Sequence, residues 1–274
     1  MNKHYIFDTH AHYHDGRFSE TASGLPAPPA LLDGLFADTI GEITDIGTDI
    51  ETSEKAIALA EHYPHMYAAV GMYPGSCPIP YVPEQMEDTI SKLRTLLNHE
   101  KVVAIGEIGL DFHYDDVPRE IQQHWFERQM QLAEETHMPV IIHDREAHGP
   151  VLETLSRYPG VRGILHSYSG SAEMAEQLIH MGYFISISGV VTFKNAQKVV
   201  EVVRRVPLEY LLVETDCPYL TPHPHRGKTN HSGYLSYTVS RIAEIKGIPD
   251  AEVCDVTRKN AYRIFGLRQE QDTE

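Results

Sequence analysis

The chain has 274 residues, of which 42% are hydrophobic and 23% are charged, a size that suits one large domain or two ordinary ones. Its 23 Lys and Arg against 39 Asp and Glu give a formal net charge of −16 at pH 7. This balance excludes proteins that hold nucleic acid or an anionic membrane by a general basic surface, but not a nuclease that grips phosphate locally. The 17 histidines are many for this length, and because His is the commonest metal ligand their placement matters most.

The first residues and the cysteines indicate the compartment. Asp8 and four histidines interrupt the first 14 residues, which lack the apolar core of a signal peptide. No run approaches the ~20 apolar residues of a membrane span. Cys77, Cys217 and Cys254 cannot all pair and show no CxxC spacing, which is typical of reduced thiols. We therefore expect a cytoplasmic protein with no membrane contact.

Eight short apolar or β-branched runs recur along the chain and are predicted to be strands. Most are apolar throughout, as in strands that a parallel sheet buries on both faces. The runs are 5–8, 43–47, 67–71, 102–106, 140–143, 163–166, 183–187 and 211–214.

A stretch with helical, amphipathic periodicity follows each strand. The predicted helices are 29–37, 52–63, 84–98, 119–137, 147–158, 172–180, 194–205, 234–246 and an extra one at 251–265, before Gly266 as a C-cap. Eight strand-then-helix units predict a single TIM (β/α)8 barrel over 1–267 with an extra C-terminal helix, rather than two doubly wound domains, and a short acidic tail at 268–274. The Gly, Ser and Pro-rich stretch 15–29 is either a cover over the barrel mouth or a solvated loop.

Barrel enzymes build their sites at the carboxyl ends of the strands, so candidate site residues are expected there. The first strand runs into Asp-Thr-His-Ala-His, and alternation along a strand places His10 and His12 on one face. Two imidazoles at this spacing can share a divalent cation, although a chance surface pair is equally compatible with the pattern alone. His14 continues the alternation but is expected to leave the strand.

The fourth strand ends in a carboxylate, Glu107. A charge that emerges from an apolar run must be paired or coordinated, because a lone buried charge is too costly. Glu107 can bridge two cations with its two oxygens, and a salt bridge inside the barrel is the alternative. Asp111, four residues later, is expected to support a ligand or cap a loop.

The fifth, sixth and eighth strands add further candidates. His143 and His166 stand at corresponding ends of adjacent strands, which favours ligands over isolated structural histidines. Asp216 follows the eighth strand and is placed to touch a metal and its water, with Glu214 as the competing carboxylate.

The candidate ligands are therefore His10, His12, Glu107, His143, His166 and Asp216. Mixed imidazole and carboxylate donors suit Zn²⁺ or Mn²⁺, whereas Mg²⁺ prefers oxygen and would bind more loosely. We expect one or two divalent ions.

The motifs carrying these residues resemble the TatD family of metal-dependent deoxyribonucleases. They are Asp-Thr-His-Ala-His, Gly-Glu-Ile-Gly-Leu-Asp, Ile-His-Asp-Arg, His-Ser-Tyr-Ser-Gly and Glu-Thr-Asp-Cys-Pro-Tyr-Leu-Thr-Pro, joined by matches at 224–230 and 260–266. The resemblance spans about 5–267 and implies a TIM barrel of the amidohydrolase superfamily with metal-assisted phosphodiesterase activity. It implies the same six metal ligands and gives Glu107 the bridging position.

Three segments depart from the family pattern. The usual Gly-x-His-Pro after the third strand is Gly-Met-Tyr-Pro at 71–74, so Tyr73 replaces a histidine of the mouth. The loop 15–29 lacks the usual short acidic spacing. After Asn230 the usual Glu-Pro is replaced by 231–233, His-Ser-Gly. The identity of the substrate is the property these changes affect most.

The predicted chemistry is hydrolysis by a metal-activated water. Asp216 and Glu107 are the candidate catalytic residues: Asp216 would orient the water, take its proton and return it to the leaving alkoxide. Arg145, Arg226 and Lys228 are candidate phosphate contacts, although a solvated loop explains the last two equally well. Tyr73, and also Tyr168, would either stack on a base or form the wall of the mouth.

The expected substrate is a DNA end or a phosphoester small molecule. The acidic net charge favours a single strand end threaded into a narrow mouth over stable duplex binding. One alternative is a small-molecule esterase, lactonase or phosphoesterase on the same metal core, which Tyr73 mildly favours. The other is a metal-stabilised binding protein without turnover. The complete ligand set argues against it, because Asp216 is placed to contact a metal-bound water. Catalysis needs such an open coordination position, whereas structural zinc is usually closed by four protein ligands.

Overall fold

The computed structural model describes residues 4–18, 24–25 and 27–268. Eight parallel strands follow one another in chain order through one sheet. They are β1 (Ile6–Ala11), β2 (Ile40–Ile46), β3 (Met66–Val70), β4 (Val102–Asp111), β5 (Val140–Arg145), β6 (Gly163–Leu165), β7 (Phe184–Ile187) and β8 (Leu211–Val213).

Helices alternate with these strands, nine of them within the described ranges. They are α1 (Pro28–Ala37), α2 (Ile50–Glu61), α3 (Pro83–Leu96), α4 (Arg119–Thr136), α5 (His148–Ser156), α6 (Ala172–His180), α7 (Gln197–Arg205), α8 (Leu235–Lys246) and α9 (Asp250–Phe265). The ninth ends at Gly266, whose φ of 65° is the left-handed conformation that glycine adopts without steric cost.

The first and last strands meet just beyond β8. The backbone N–H of Asp216 donates to the carbonyl of His10 at 2.9 Å, and that of His12 donates to the carbonyl of Cys217 at 2.9 Å. A parallel bridge between Ala11 and Cys217 accompanies these bonds. The sheet is thus nearly closed, and the predicted TIM barrel with an extra C-terminal helix is confirmed.

Apolar packing holds the barrel and fixes its amino-terminal end. A large cluster joins the strands to the surrounding helices, as Ile43, Ala56 and Phe126 illustrate. A smaller cluster contains Phe7, whose ring lies 5.7 Å from that of Phe265 on α9. Helix α9 is also tied to β2, because the Arg258 guanidinium pairs with the buried Glu42 carboxylate. The opposite, carboxyl-terminal end is left for the site.

Three strands, β1, β4 and β5, extend further at their carboxyl ends than the sequence pattern indicated. The predicted first strand stops at residue 8, yet β1 continues to Ala11, so that His10 lies inside it. The fourth was predicted to end at 106, but β4 continues to Asp111, which pairs with Arg145 on β5. Continued pairing with the neighbouring strand extends each strand past the end of its apolar run.

Parts of two predicted segments lie outside the described residues: 19–23 and 26 of the loop 15–29, and 269–274 of the acidic tail. Within the described part of the loop, Gly16–Phe18 form a 3₁₀ turn, and α1 begins at Pro28. In the chain as described, no helix combines the length and apolar character needed to cross a membrane. All three cysteines are buried and free.

Candidate metal centre and its pocket

A register shift in β1 sets the direction of His10. Asp8 pairs with Ile43 and Ala11 with Asp45, so three residues of β1 span two of β2, as in a β-bulge. As a result Thr9 and His10, although adjacent, both reach residues of non-neighbouring strands. The Thr9 hydroxyl lies 3.3 Å from that of Ser186, and the His10 ring stacks on that of His166 at 4.0 Å.

His12 follows the end of β1, and its ring lies close to that of His10. The Nε2 atoms of the two rings are 3.2 Å apart. Nδ1 of His12 lies 2.8 Å from the carbonyl oxygen of Ile46, an acceptor, so this nitrogen carries the proton. Nε2 of His12 is therefore the ring nitrogen that faces His10.

Glu107 occupies the centre of the site through a second register shift. Ile105 pairs with Val140 and Ile108 with Ile142, so β4 has one extra residue here. Oε1 of Glu107 lies 2.7 Å from Nδ1 of His143 and 2.8 Å from Nε2 of His166. The other oxygen, Oε2, lies 3.7 Å from Nε2 of His10 and 4.0 Å from Nε2 of His12. Each carboxylate oxygen thus faces its own pair of histidines.

His143 and His166 carry supporting carboxylates behind them. Nε2 of His143 lies 3.1 Å from Oδ2 of Asp111, and Nδ1 of His166 lies 3.4 Å from Oε1 of Glu214. Such carboxylates fix the tautomer and orientation of a ligating imidazole. Asp111 therefore lies behind His143, and Glu214 lies behind His166 rather than in the pocket.

Gly109 permits the close approach that places His143. Its φ is 140°, which strains any other residue, and a Cβ atom there would lie 2.1 Å from the carbonyl oxygen of His143. A side chain at 109 would separate β4 from β5 at the level of the site.

Asp216 adopts a left-handed backbone conformation, with φ of 56°. This conformation is costly for a residue other than glycine, and it persists where surrounding contacts impose it. Oδ1 of Asp216 lies 3.4 Å from Nε2 of His12 and 3.6 Å from Nε2 of His10. Its side chain, 16% exposed, is the most accessible of the three groups in this contact.

A buried hydrogen-bond network around Asp8 positions the turn that carries Asp216. The sequence motifs did not predict this network. Asp8 accepts hydrogen bonds from the backbone N–H of Thr215 at 3.0 Å and from its hydroxyl at 2.6 Å. The Ser232 hydroxyl donates to the same carboxylate at 2.7 Å. The only signal for this role in the sequence is an acidic residue within the first apolar run. Asp8 thereby anchors the residue next to Asp216.

The donor set fits divalent cations. Among the described residues, two groups can surround an ion: one of His10, Glu107 and His166, the other of His10, His12 and Asp216, with the donor atoms of each within 4.8 Å of one another. Nδ1 of His143 also lies 3.1 Å from Nε2 of His166. Imidazole nitrogens and carboxylate oxygens are the donor types that bind a divalent cation, and here they converge on one small volume.

The charges of these groups depend on one another. Burial would raise the pKa of Glu107, but the nearby His166 and His143 lower that pKa well below its usual range. Burial opposes protonation of His166 as well, yet Glu107 raises the pKa of His166 well above its usual range. The site therefore stabilises a fixed carboxylate surrounded by positive charge, the environment that a metal ion also provides.

The centre opens into a pocket of about 700 Å³. Three cationic side chains line it: Arg145, whose contact with phosphate stays a prediction, together with Arg17 and Lys55, which no sequence motif indicated. Tyr73 is in the wall and donates from its hydroxyl to Oδ2 of Asp111 at 2.8 Å. His14 also lines the pocket and bonds Asp45 at 2.8 Å.

Three other candidates do not line this pocket. The Arg226 guanidinium lies 3.9 Å from the centre of the Phe193 ring, beside a separate cavity of about 210 Å³. Lys228 is absent from the pocket wall, and its carbonyl accepts from the Thr221 hydroxyl at 2.6 Å. Tyr168 is buried and donates to the carbonyl of Ser171. Contact of these three side chains with substrate stays a prediction.

Comparison with known proteins gives a consistent result. A family model described as TatD related DNase matches residues 7–266. YabD of Bacillus subtilis, an uncharacterized metal-dependent hydrolase, is 39% identical over 264 residues, covering 96% of this chain and 99% of YabD. The crystal structure of YjjV, a TatD homolog from Escherichia coli, matches with a TM-score of 0.82 and 31% identity, covering 96% of this chain and 98% of YjjV. An uncharacterized amidohydrolase from Saccharomyces cerevisiae, 20% identical, shares the fold with a TM-score of 0.80 over 95% of this chain and 99% of its own.

Proposed function

The chain belongs to the TatD family of metal-dependent hydrolases, and we propose that it is a deoxyribonuclease that acts on single-stranded DNA ends. One observation carries the proposal: two pairs of histidines face the two oxygens of one carboxylate beside a pocket that also holds three cationic side chains. This pocket offers positive charge for phosphate next to a centre suited to hydrolysis.

The proposed ligands divide between two positions. His10, His12 and Asp216 would hold one ion, His143 and His166 the other, with Glu107 contributing one oxygen to each. A divalent ion bound there supplies Lewis-acid activation of water and of the phosphoryl oxygen. Zn²⁺ or Mn²⁺ suits these nitrogen-rich groups better than Mg²⁺.

The protein's own groups would direct the proton. Asp216 is the accessible carboxylate at the edge of the centre, and its contacts are to His10 and His12 through Oδ1. We assign it the acceptance of the proton from the attacking water as the new oxygen–phosphorus bond forms. As the ester bond breaks, Asp216 returns that proton to the departing oxygen, which leaves as a hydroxyl.

Arg145 would orient the phosphate. It ends β5, two residues after His143, and its guanidinium lies 4.8 Å from the centre of the Tyr114 ring. Stacking on the ring leaves the N–H groups at the edge of the guanidinium able to bind two phosphate oxygens. Because the chain carries a net charge of −16, the proposed phosphate binding is local and favours a strand end over a long duplex.

A small-molecule esterase, lactonase or phosphoesterase is the second candidate function. It is favoured by Tyr73, which occupies the wall beside His143 with ring centres 4.9 Å apart. The Tyr73 hydroxyl is engaged by Asp111. A closed wall here suits a compact substrate.

The deciding experiment uses metal-stripped protein reloaded with Mg²⁺, Mn²⁺ or Zn²⁺. Each form is assayed on single-stranded oligonucleotides labelled at either end, on the corresponding duplex, and on a panel of esters, lactones and phosphoesters. Metal-dependent shortening of the single strand from one end supports the proposal. Turnover confined to the small-molecule panel would replace it with the second candidate.

A further inference from the structure

A second arginine faces the pocket opposite Arg145. We propose that Arg17, stacked on Tyr219, binds a phosphate next to the scissile one, so that the pocket selects substrates with at least two phosphates. The inference rests on the proposed phosphodiesterase function and specifies the substrate class of the same site.

The strand order separates the two arginines. Arg17 lies in the turn directly after β1, whereas Arg145 ends β5. In a barrel of eight strands in chain order, β1 and β5 stand four strands apart, on opposite sides of the mouth. The candidate metal ligands lie between them. A chain of phosphates passing over the centre would therefore meet a guanidinium on each side.

Tyr219 sets how far Arg17 stands from the centre. The Tyr219 ring lies edge-on to the ring of His12, with centres 6.5 Å apart. The Arg17 guanidinium carbon lies 4.4 Å from the centre of that same tyrosine ring. One aromatic ring thus separates the arginine from a candidate metal ligand, which places it beside the centre rather than in it.

Asp15 holds this pair without neutralising the arginine. Its Oδ1 accepts from the backbone N–H of Arg17 at 2.7 Å, and its Oδ2 accepts from the Tyr219 hydroxyl at 3.2 Å. Both oxygens are used to position the turn and the ring, and neither bonds the guanidinium. The cation–π contact leaves the guanidinium edge available for an anion.

The contrast with other cations supports the assignment. Several arginines of the outer helices pair with carboxylates, as Arg128 does with Glu87, whereas Arg119 and Arg263 lie over aromatic rings away from the pocket. In the pocket, Lys55 is already paired with Glu51 at 2.6 Å. For Arg17, by contrast, the described part of the chain provides an aromatic ring and no carboxylate partner. In so acidic a chain, an arginine without a carboxylate partner at the mouth points to an anionic ligand supplied from outside.

The test compares two substrates that differ in phosphate number. Bis(4-nitrophenyl) phosphate has only the scissile phosphate, whereas a thymidine trinucleotide has a neighbouring one. In the metal-loaded protein, Arg17→Ala should raise KM for the trinucleotide about 10-fold or more, which is the usual effect of losing a charged hydrogen bond. The kcat and KM for bis(4-nitrophenyl) phosphate should stay within about 2-fold of those of the unchanged protein. Arg17→Lys should recover only part of the loss, because lysine lacks the planar fork.

Arg162→Ala is the matched control. Arg162 is exposed and directly precedes β6 at the opposite end of the barrel, so this variant loses the same charge far from the mouth. Its trinucleotide KM should equal that of the unchanged protein at equal ionic strength. Thermal unfolding of each variant shows that the fold is retained.

A binding measurement separates this inference from the proposed function. Fluorescence anisotropy with a labelled thymidine trinucleotide and metal-free protein should show that Arg17→Ala binds more weakly than the unchanged protein. The slope of the logarithm of the binding constant against the logarithm of the salt concentration should be about 0.7 less steep for the variant. If the unchanged protein hydrolyses no phosphodiester, the proposed function fails, while this measurement still judges Arg17. Equal effects of Arg17→Ala on both substrates, or unchanged trinucleotide binding, would overturn the inference.

Discussion

The Tyr73 hydroxyl donates a hydrogen bond to Oδ2 of Asp111 at 2.8 Å, the same oxygen that lies 3.1 Å from Nε2 of His143. Tyr73 stands where family members usually have a histidine. Burial would raise the pKa of Asp111, but the bonds from His143 and Tyr73 lower that pKa to about 2. Asp111 thus stays ionised, and Tyr73 acts on His143 through this carboxylate.

Tyr73→Phe tests this connection. The variant keeps the ring against His143 and removes one donor to Asp111, so the free energy of unfolding should fall by about 1 kcal/mol. We also expect a fall in metal affinity of about 10-fold, since carboxylates behind ligating histidines have effects of this size. Metal titration and urea unfolding measure the two effects. Tyr114→Phe, whose ring is 52% exposed, is the control and should change neither.

Removal of the central carboxylate should abolish metal loading. Glu107→Gln keeps the shape of the side chain and removes the charge that both histidine pairs face. Metal analysis should find almost no bound ion, and the rise in melting temperature expected when metal is added to the unchanged protein should be absent.

Glu42→Gln provides the matched comparison for this prediction. Glu42 is buried at the other end of the barrel, where it pairs with Arg258. This variant should unfold more easily while loading metal normally. Equal metal content in the Glu107→Gln protein and the unchanged protein would exclude Glu107 as the shared ligand.

Asp216→Asn should separate proton transfer from the fold. The amide keeps the size of the side chain but cannot accept the water's proton, so kcat should fall by about 10²–10⁴-fold. The assay is steady-state hydrolysis after the bound metal has been quantified. Asp15→Asn alters a carboxylate of the same pocket that has no assigned proton transfer, and its kcat should stay within about 10-fold of normal. Full activity of a metal-loaded Asp216→Asn protein would remove Asp216 from the mechanism.

His231 should make the stability depend on pH. Burial and the neighbouring His225 lower the pKa of His231 from 6.5 to about 4. Between these values the unfolded chain binds the proton more readily than the folded one, so stability is full above pH 6.5 and falls as the pH decreases. The expected loss is about 1 kcal/mol between pH 6.5 and pH 5.5.

His231→Asn isolates this effect. Nδ1 of His231 accepts from the backbone N–H of Gly233 at 3.2 Å, and an asparagine oxygen can take over this bond without titrating. Urea unfolding at several pH values should show a smaller loss for the variant than for the unchanged protein. Parallel curves would show that another group causes the acid sensitivity.

The fold could be predicted from the sequence because strands buried on both faces appear as short runs of apolar or β-branched residues. The strands and helices recur at regular intervals, and this order sufficed for the barrel. The direction of His10 could not be predicted in the same way, since a bulge adds one residue without changing the apolar pattern. Such a register shift depends on how a strand pairs with its neighbour, and the sequence of a single strand does not contain this information.

The pocket wall was harder to predict than the donor set. His10, Glu107 and His143 follow apolar runs, so their positions come from the strands themselves. Arg226 belongs to a recognisable motif but lies over Phe193, whereas Arg17 belongs to none and faces the pocket. A loop's path depends on contacts such as those of Asp15, which join residues more than two hundred positions apart.

The contact between Asp216 and His10 makes the first and last strands partners in one centre. These two candidate ligands are 206 positions apart in the sequence, yet the backbone N–H of Asp216 donates a hydrogen bond to the carbonyl of His10 at 2.9 Å. During synthesis, the set stays incomplete until most of the polypeptide has left the ribosome, so a shortened chain cannot assemble it. An ion bound there would also stabilise the contact between the first and last strands. Amide hydrogen exchange along β1 should therefore slow when metal is added.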